Sequence, residues 1–166
     1  MILLKKMDQD YYQEHYRQYC INELAKQSID NGIWARGEGK IKAQEEQDEW
    51  LKEGVGTQDN YLYEIVREED NKIIGEIWFG IIDIENKKEC FLFDIQILDE
   101  EQHKGNGKES LIKIEDEVLE LGYRSLRLHV FKNNPNAIKL YKDIGYKEFE
   151  SKGNSIWMEK EIKGKS

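Results

Sequence analysis

The segment Gln102-His103-Lys104-Gly105-Asn106-Gly107-Lys108 has the residue types of an anion site. A strand-like run precedes it, Phe91 to Leu98, with apolar side chains at every odd position (Phe91, Phe93, Ile95, Ile97). A helical pattern follows, with Leu111, Ile114, Val118 and Leu121 spaced for one face. A loop with two glycines between a strand and a helix start gathers free backbone N–H groups at the positive end of the helix dipole. Glycine also lets that backbone approach a ligand closely. Lys104 and Lys108 add positive charge at the same place, and the chemistry this predicts is pyrophosphate binding. Two familiar phosphate loops fit badly. A dinucleotide fingerprint needs a glycine three residues after Gly107, where Ser110 stands. A P-loop needs Ser or Thr after its Gly-Lys, and Glu109 offers magnesium no hydroxyl.

A second string stands downstream. Ser125 to Phe131 reads as a strand with Leu126, Leu128 and Val130 on one face, and Asn133-Asn134-Pro135-Asn136-Ala137-Ile138-Lys139-Leu140-Tyr141-Lys142-Asp143-Ile144-Gly145-Tyr146 follows. Pro135 is the only proline in the chain and sits where a helix would begin, with Asn134 as its N-cap. Ala137, Leu140, Tyr141 and Ile144 are spaced for a buried face, and Gly145 ends the helix. Each string alone is compatible with ordinary helix construction. Together, in this order and at this separation, Gln102-x-x-Gly105-x-Gly107 and Asn134-x-x-Ala137-x-x-Leu140-Tyr141-x-x-x-Gly145-Tyr146 resemble the two signatures of the GCN5-related N-acetyltransferase (GNAT) family.

That resemblance implies roles for particular residues. Gln102 would open the loop, and backbone amides from His103 through Lys104, Gly105, Asn106 and Gly107 to Lys108 would cradle the pyrophosphate of acetyl-CoA, the acyl-donor substrate. The preceding strand would pair its backbone at Ile95, Gln96 and Ile97 with the amide-bearing pantetheine arm. Asn134 would contact the cofactor arm, beside its reading as a plain helix cap. Tyr141 would be the general acid for the leaving thiolate, since a phenol of pKa ~10 stays protonated at neutral pH and is not far from the ~8.5 of a thiol. An alkyl amine of pKa ~10.4 must lose a proton before it attacks. Asp94 is the leading candidate for that base, because it interrupts the apolar strand and shares a face with Gln96 beside the expected thioester. Glu76 and Asp83 are the alternatives, and a solvated strand face explains all three equally well.

The elements that must position these residues can be read along the chain. Ile2 to Lys6 is a first strand. Asp8 to about Ile29 is a helix carrying Tyr11, Tyr12, Tyr16 and Tyr19, which with Trp34 either walls the acceptor pocket or forms a packing face. Lys40 to Lys52 is a second helix, and strands follow at about 61–67 and 72–83. Two last strands lie at about 146–150 and 154–161. The order β-α-α-β-β-β-α-β-α-β-β predicts an α/β (mixed α+β) fold, with a largely antiparallel mixed sheet flanked by helices in a single domain over 1–166.

Composition sets limits. No apolar run approaches the ~18 residues of a membrane span, and the start of the chain is too short to read as a signal peptide. Cys20, Cys90, His15, His103 and His129 are scattered without metal-ligand spacing, so no metal is expected, and two unpaired-looking cysteines suit a reducing cytoplasm. The net charge of −9 argues against nucleic acid. The reading is thus an N-acetyltransferase that moves an acetyl group to a primary amine, small or on a protein, by direct attack in a ternary complex. A homodimer stays open. The alternative is a non-catalytic acyl-CoA-binding module acting as a sensor or interaction domain, for which Tyr141 would have no use.

Overall fold

The β-branched and aromatic runs become strands and the 3.6-periodic runs become helices. In chain order the elements are β1 (Ile2–Lys6), α1 (Gln9–Tyr11), a π-helical turn (Tyr12–Tyr16), α2 (Arg17–Asp30), α3 (Gly39–Trp50), β2 (Asn60–Arg67), β3 (Lys72–Ile84), β4 (Lys87–Ile97), α4 (Asn106–Glu120), β5 (Ser125–Phe131), α5 (Pro135–Asp143), β6 (Lys147–Lys152) and β7 (Ser155–Glu161). The computed structural model describes residues 1–163. Its backbone divides into two units, Met7–Asn60 and the remainder, Met1–Lys6 with the chain from Tyr61 on. The expected order of strands and helices is present, with the first long helix built as α1, the π turn and α2 in succession.

Among the described residues, seven strands form one sheet in the order β1-β2-β3-β4-β5-β7-β6. Only β4 and β5 are recorded as a parallel pair, and α4 is the crossover that a parallel connection requires. β3 and β4 form a hairpin whose two turn residues, Glu85 and Asn86, both have positive φ (51° and 66°), the twist that suits a two-residue loop. β4 therefore begins at Lys87, four residues before the start that alternation marks. α4 and α5 lay their apolar stripes on one sheet face, where Leu111, Ile114, Val118, Tyr141 and Ile144 join Ile77, Phe79, Leu92 and Leu128 in a common core. Leu121 departs from the expected stripe. It is the C-cap of α4 and is 38% exposed.

Within Met7–Asn60, α2 packs on α3 through Ile21, Ala25 and Ala43. Tyr12 and Tyr16 are buried, and the Tyr12 hydroxyl accepts a hydrogen bond from Gln47 Nε2 at 3.1 Å. Arg17 forks onto Asp48 at 2.8 and 2.7 Å. Packing accounts for these two tyrosines. No described helix is long and apolar enough to cross a membrane.

Candidate active site

A local irregularity in β4 organises the site. Trp78 pairs with Asp94 and Phe79 with Leu92, so Phe93 is an extra residue, a β-bulge. Before it, Cys90 and Leu92 face the core; after it, Ile95 and Ile97 do. Phe91 and Phe93 belong to the opposite face, where Phe93 stacks on Trp78 with ring centroids 4.7 Å apart. The four odd-numbered apolar residues thus do not line one face as simple alternation would have them. The bulge also coincides with the end of the parallel ladder. β4 and β5 pair at Cys90↔Leu126, Phe91↔Arg127 and Leu92↔Leu128 and at no later rung. Further on, Ile95 to Ile97 pair with β3, and among the described residues no β5 rung is present at these three. A bulge bends and twists its strand, which is the physical reason for such a parting.

The strand then leads into the glycine loop. A 3-10 turn at Asp99–Glu101 ends it, and Gln102 Nε2 donates to the Ile97 carbonyl at 2.9 Å and to Asp99 Oδ1 at 3.3 Å. Gln102 is a brace for the loop through its side chain. His103 has φ +62° and Gly105 φ +84°, and Gly105 is the N-cap of α4. The first intrahelical bond is Glu109 N–H to Gly105 O, 3.0 Å, so the amides of Asn106, Gly107 and Lys108 point out of the helix end. They open onto a cleft of about 410 Å³. Its walls are Ile95 and Ile97 from β4, the loop from Gln102 through His103 and Gly105 to Lys108, and one side of α5. A Cβ on Gly107 would lie 3.4 Å from Leu140 Cδ2 and 4.0 Å from Ile97 Cγ1, ordinary contacts, so there is room for a methyl group at this point of the cleft.

The expected site residues separate into groups. Ile95, Ile97, Gln102, His103, Gly105, Asn106, Gly107 and Lys108 share the cleft. Gln96 has its side chain on the other face, across from Glu76, with Oε1 buried and without a hydrogen-bond partner. Lys104 is not among the cleft residues; its Nζ pairs with Glu101 at 3.3 Å. Asn134 caps α5 by accepting the Ala137 N–H at 3.3 Å, and it too is absent from the lining. The two signatures do not single out Asn136, Lys139 and Asp143, which α5 brings to the cleft. Their signal was the i, i+3, i+4 spacing with Leu140, which puts all four on one side of a helix.

Tyr141 and Asp94, from different elements, are near enough to interact electrostatically. Tyr141 is buried on α5, its ring 5.9 Å from that of Tyr146. Burial pushes its phenol well above the usual value, and the Asp94 carboxylate pushes it further, so the two lie within electrostatic reach. Glu76 is buried two residues along β3 from Trp78, the cross-strand partner of Asp94, and shares that face. Asp83 does not. It is exposed, pairs across the strand with Lys88 near the hairpin turn, and is roughly 17 Å along β3 from Trp78.

Comparisons with known proteins converge on one family. A sequence model of the acetyltransferase (GNAT) family matches residues 9–146. The uncharacterized N-acetyltransferase YdgE of Bacillus subtilis is 26% identical over 80% of this chain and 84% of its own. YycN of the same organism, also an uncharacterized N-acetyltransferase, is 25% identical over 89% of this chain and 93% of its own. The crystal structure of YycN matches this fold with a TM-score of 0.83 at 24% identity, covering 92% of this chain and 96% of that one. The PaiA N-acetyltransferase of Thermoplasma acidophilum, solved in complex with coenzyme A, matches with a TM-score of 0.72 at 24% identity, covering 98% of this chain and 99% of that one. With both signatures in place on a sheet of this topology and a family match spanning most of its length, the chain belongs to the acetyltransferase (GNAT) family.

Proposed function

We propose that this protein transfers an acetyl group from acetyl-CoA to a primary amine by direct attack, with residues 1–166 acting as one catalytic domain in the cytoplasm. The observation that carries the proposal is that the loop amides and the β4 edge share one cleft. Outward-pointing amides at the start of α4 run into the unladdered edge of β4, and that strand leads back to Asp94, in electrostatic reach of Tyr141. Coenzyme A binding by the structurally similar PaiA enzyme supports the same reading.

The amides of Asn106, Gly107 and Lys108 hold the pyrophosphate, with the Lys108 and Lys139 ammonium groups beside it. The β4 edge from Ile95 to Ile97 receives the pantetheine amides as an added strand would, leaving the thioester at the bulge. The acceptor ammonium gives a proton to Asp94, or to Glu76 through water, and its nitrogen lone pair forms the bond to the thioester carbon. The C–S bond then breaks, the sulfur takes the Tyr141 proton, and one of the two protons still on nitrogen passes through water to the Tyr141 oxygen, which leaves a neutral amide and a restored phenol. The raised phenol pKa widens the gap to a thiol in water. A thiolate released into the same buried place is also poorly solvated, however, so its own pKa rises and proton transfer stays feasible.

The test is a thermal shift followed by a thiol-release screen of amines. Ligand at about a hundred times its Kd adds ~2.7 kcal/mol of stability, which at this chain length is a shift of roughly 5–11 °C. Absence of a shift with both CoA and acetyl-CoA would remove the basis of the reading. A shift without thiol release from any amine would favour a binding module instead.

A further inference from the structure

The glycine loop rests on a carboxylate that acyl transfer does not use. Glu101 ends the 3-10 turn before the loop, and its side chain is only 6% exposed. Arg67, the last residue of β2, donates from Nη1 to Glu101 Oε1 and Oε2, both at 2.9 Å. Lys104 Nζ, from within the loop, donates to Oε1 at 3.3 Å. Asp70 holds Arg67 from the other side, at 3.0 Å from Nε and 2.8 Å from Nη2. The main-chain carbonyl of Glu101 accepts Asn106 Nδ2 at 2.9 Å, which ties the entry of the loop to the first turn of α4. One residue thus fixes both ends of the segment whose amides open onto the cleft. Burial raises the Glu101 carboxyl pKa, but the hydrogen bonds from Arg67 and Lys104 outweigh it and leave the group below its usual range, hence ionised.

A lone carboxylate beneath an anion site would repel its ligand. Here Glu101 and Asp70 are balanced by Arg67 and Lys104. The two cations differ in freedom, since Arg67 is 28% exposed and forked between two acids, while Lys104 is 58% exposed and makes one longer contact. We propose that Arg67 and Glu101 are the positioning pair of the pyrophosphate loop. Lys104 is its transferable cation, resting on Glu101 in the free protein and turning to the pyrophosphate when acyl-CoA binds, while Arg67 keeps Glu101 neutralised. This rests on the acyl-CoA reading of the cleft. Neither Arg67 nor Glu101 touches the reacting atoms.

The experiment compares two acyl donors that share the thioester and pantetheine arm, acetyl-CoA and S-acetyl-pantetheine, which lacks the pyrophosphate. Glu101→Gln, Arg67→Met and Lys104→Met are assayed with both donors, and their Kd for CoA is measured by calorimetry. The expected result is a rise of about tenfold in Kd and in KM for acetyl-CoA, the size of losing one charge-assisted hydrogen bond, with kcat/KM for S-acetyl-pantetheine unchanged. Lys104→Met should also leave the Tm of the free protein in place. Equal losses with both donors would make the pair merely structural and overturn the proposal, as would an unchanged Kd. Should Arg67→Met fail to fold, the conservative Glu101→Gln and the surface change Lys104→Met still decide it. Failure of the wild-type protein to bind CoA would overturn the acyl-CoA reading itself, and this proposal with it.

Discussion

A buried phenol within electrostatic reach of a carboxylate is an awkward group to hold in a core, and Tyr141, acted on by half-buried Asp94, is such a group. Both influences on Tyr141 act in one direction: burial disfavours the phenolate, and so does the neighbouring negative charge. A tyrosine kept protonated in this way is a proton donor whose phenolate is costly, so the proton it gives must be replaced at once. Tyr141→Phe keeps the ring against Tyr146 and removes only the donor. We expect kcat to fall by about 10²-fold with the Kd for CoA nearly unchanged. Equal turnover in the two proteins would leave Tyr141 a core residue. Asp94 is tested through its pH signature. Asp94→Asn should lower kcat/KM for amines and spare CoA binding, and the deficit should shrink as pH rises towards the ~10.4 of an alkyl ammonium, where the acceptor needs no base. A deficit of the same size at every pH would move the base role to Glu76.

At the scale of elements, the decisive feature is one surplus residue in β4. Removing Phe93 would put Asp94 directly after Leu92 and restore regular pairing with β3, with Ile95 and Ile97 still facing the core. The prediction is a folded protein, somewhat destabilised by loss of the Phe93–Trp78 stack, whose kcat/KM for acetyl-CoA drops at least tenfold because an unbent β4 continues its ladder along β5. Circular dichroism with a steady-state assay checks it, and full activity in the deletion variant would mean that the bulge does not create the binding edge. The bulge was invisible in the sequence for a physical reason. The inserted residue is itself apolar and keeps the odd-numbered alternation going, while the face it belongs to changes beneath it. What was legible had local causes, namely the glycine loop at a helix start, the Asn134-Pro135 cap and the 3.6-residue stripe of α4. What was not legible depended on distant partners. Lys104 adds charge to the loop by its place in the sequence, but its resting contact with Glu101, and the Arg67 that reaches the same carboxylate from 34 residues away, emerge only in the fold.

In the proposed reaction, the charge of the whole molecule acts on acetyl-CoA and on a cationic amine in opposite senses. With 34 acidic against 25 basic side chains, the chain carries a net −9, whereas the cleft presents Lys108 and Lys139. Acetyl-CoA is a polyanion that must approach through an unfavourable long-range field before it meets favourable short-range groups. A cationic amine meets attraction at every distance until it reaches Asp94. The Debye length falls from about 30 Å at 0.01 M salt to about 8 Å at 0.15 M, so added salt removes the field of the whole molecule and leaves the local contacts largely intact. Stopped-flow association of acetyl-CoA should therefore quicken as salt rises through this range. The second-order rate constant for a cationic amine, kcat/KM at saturating acetyl-CoA, should fall over the same interval. An uncharged hydroxylamine or aromatic amine of similar size should change little and serves as the control. If the two substrates respond to salt in the same direction, the acceptor is not selected as a cation, and the acidity of the chain bears on solubility alone.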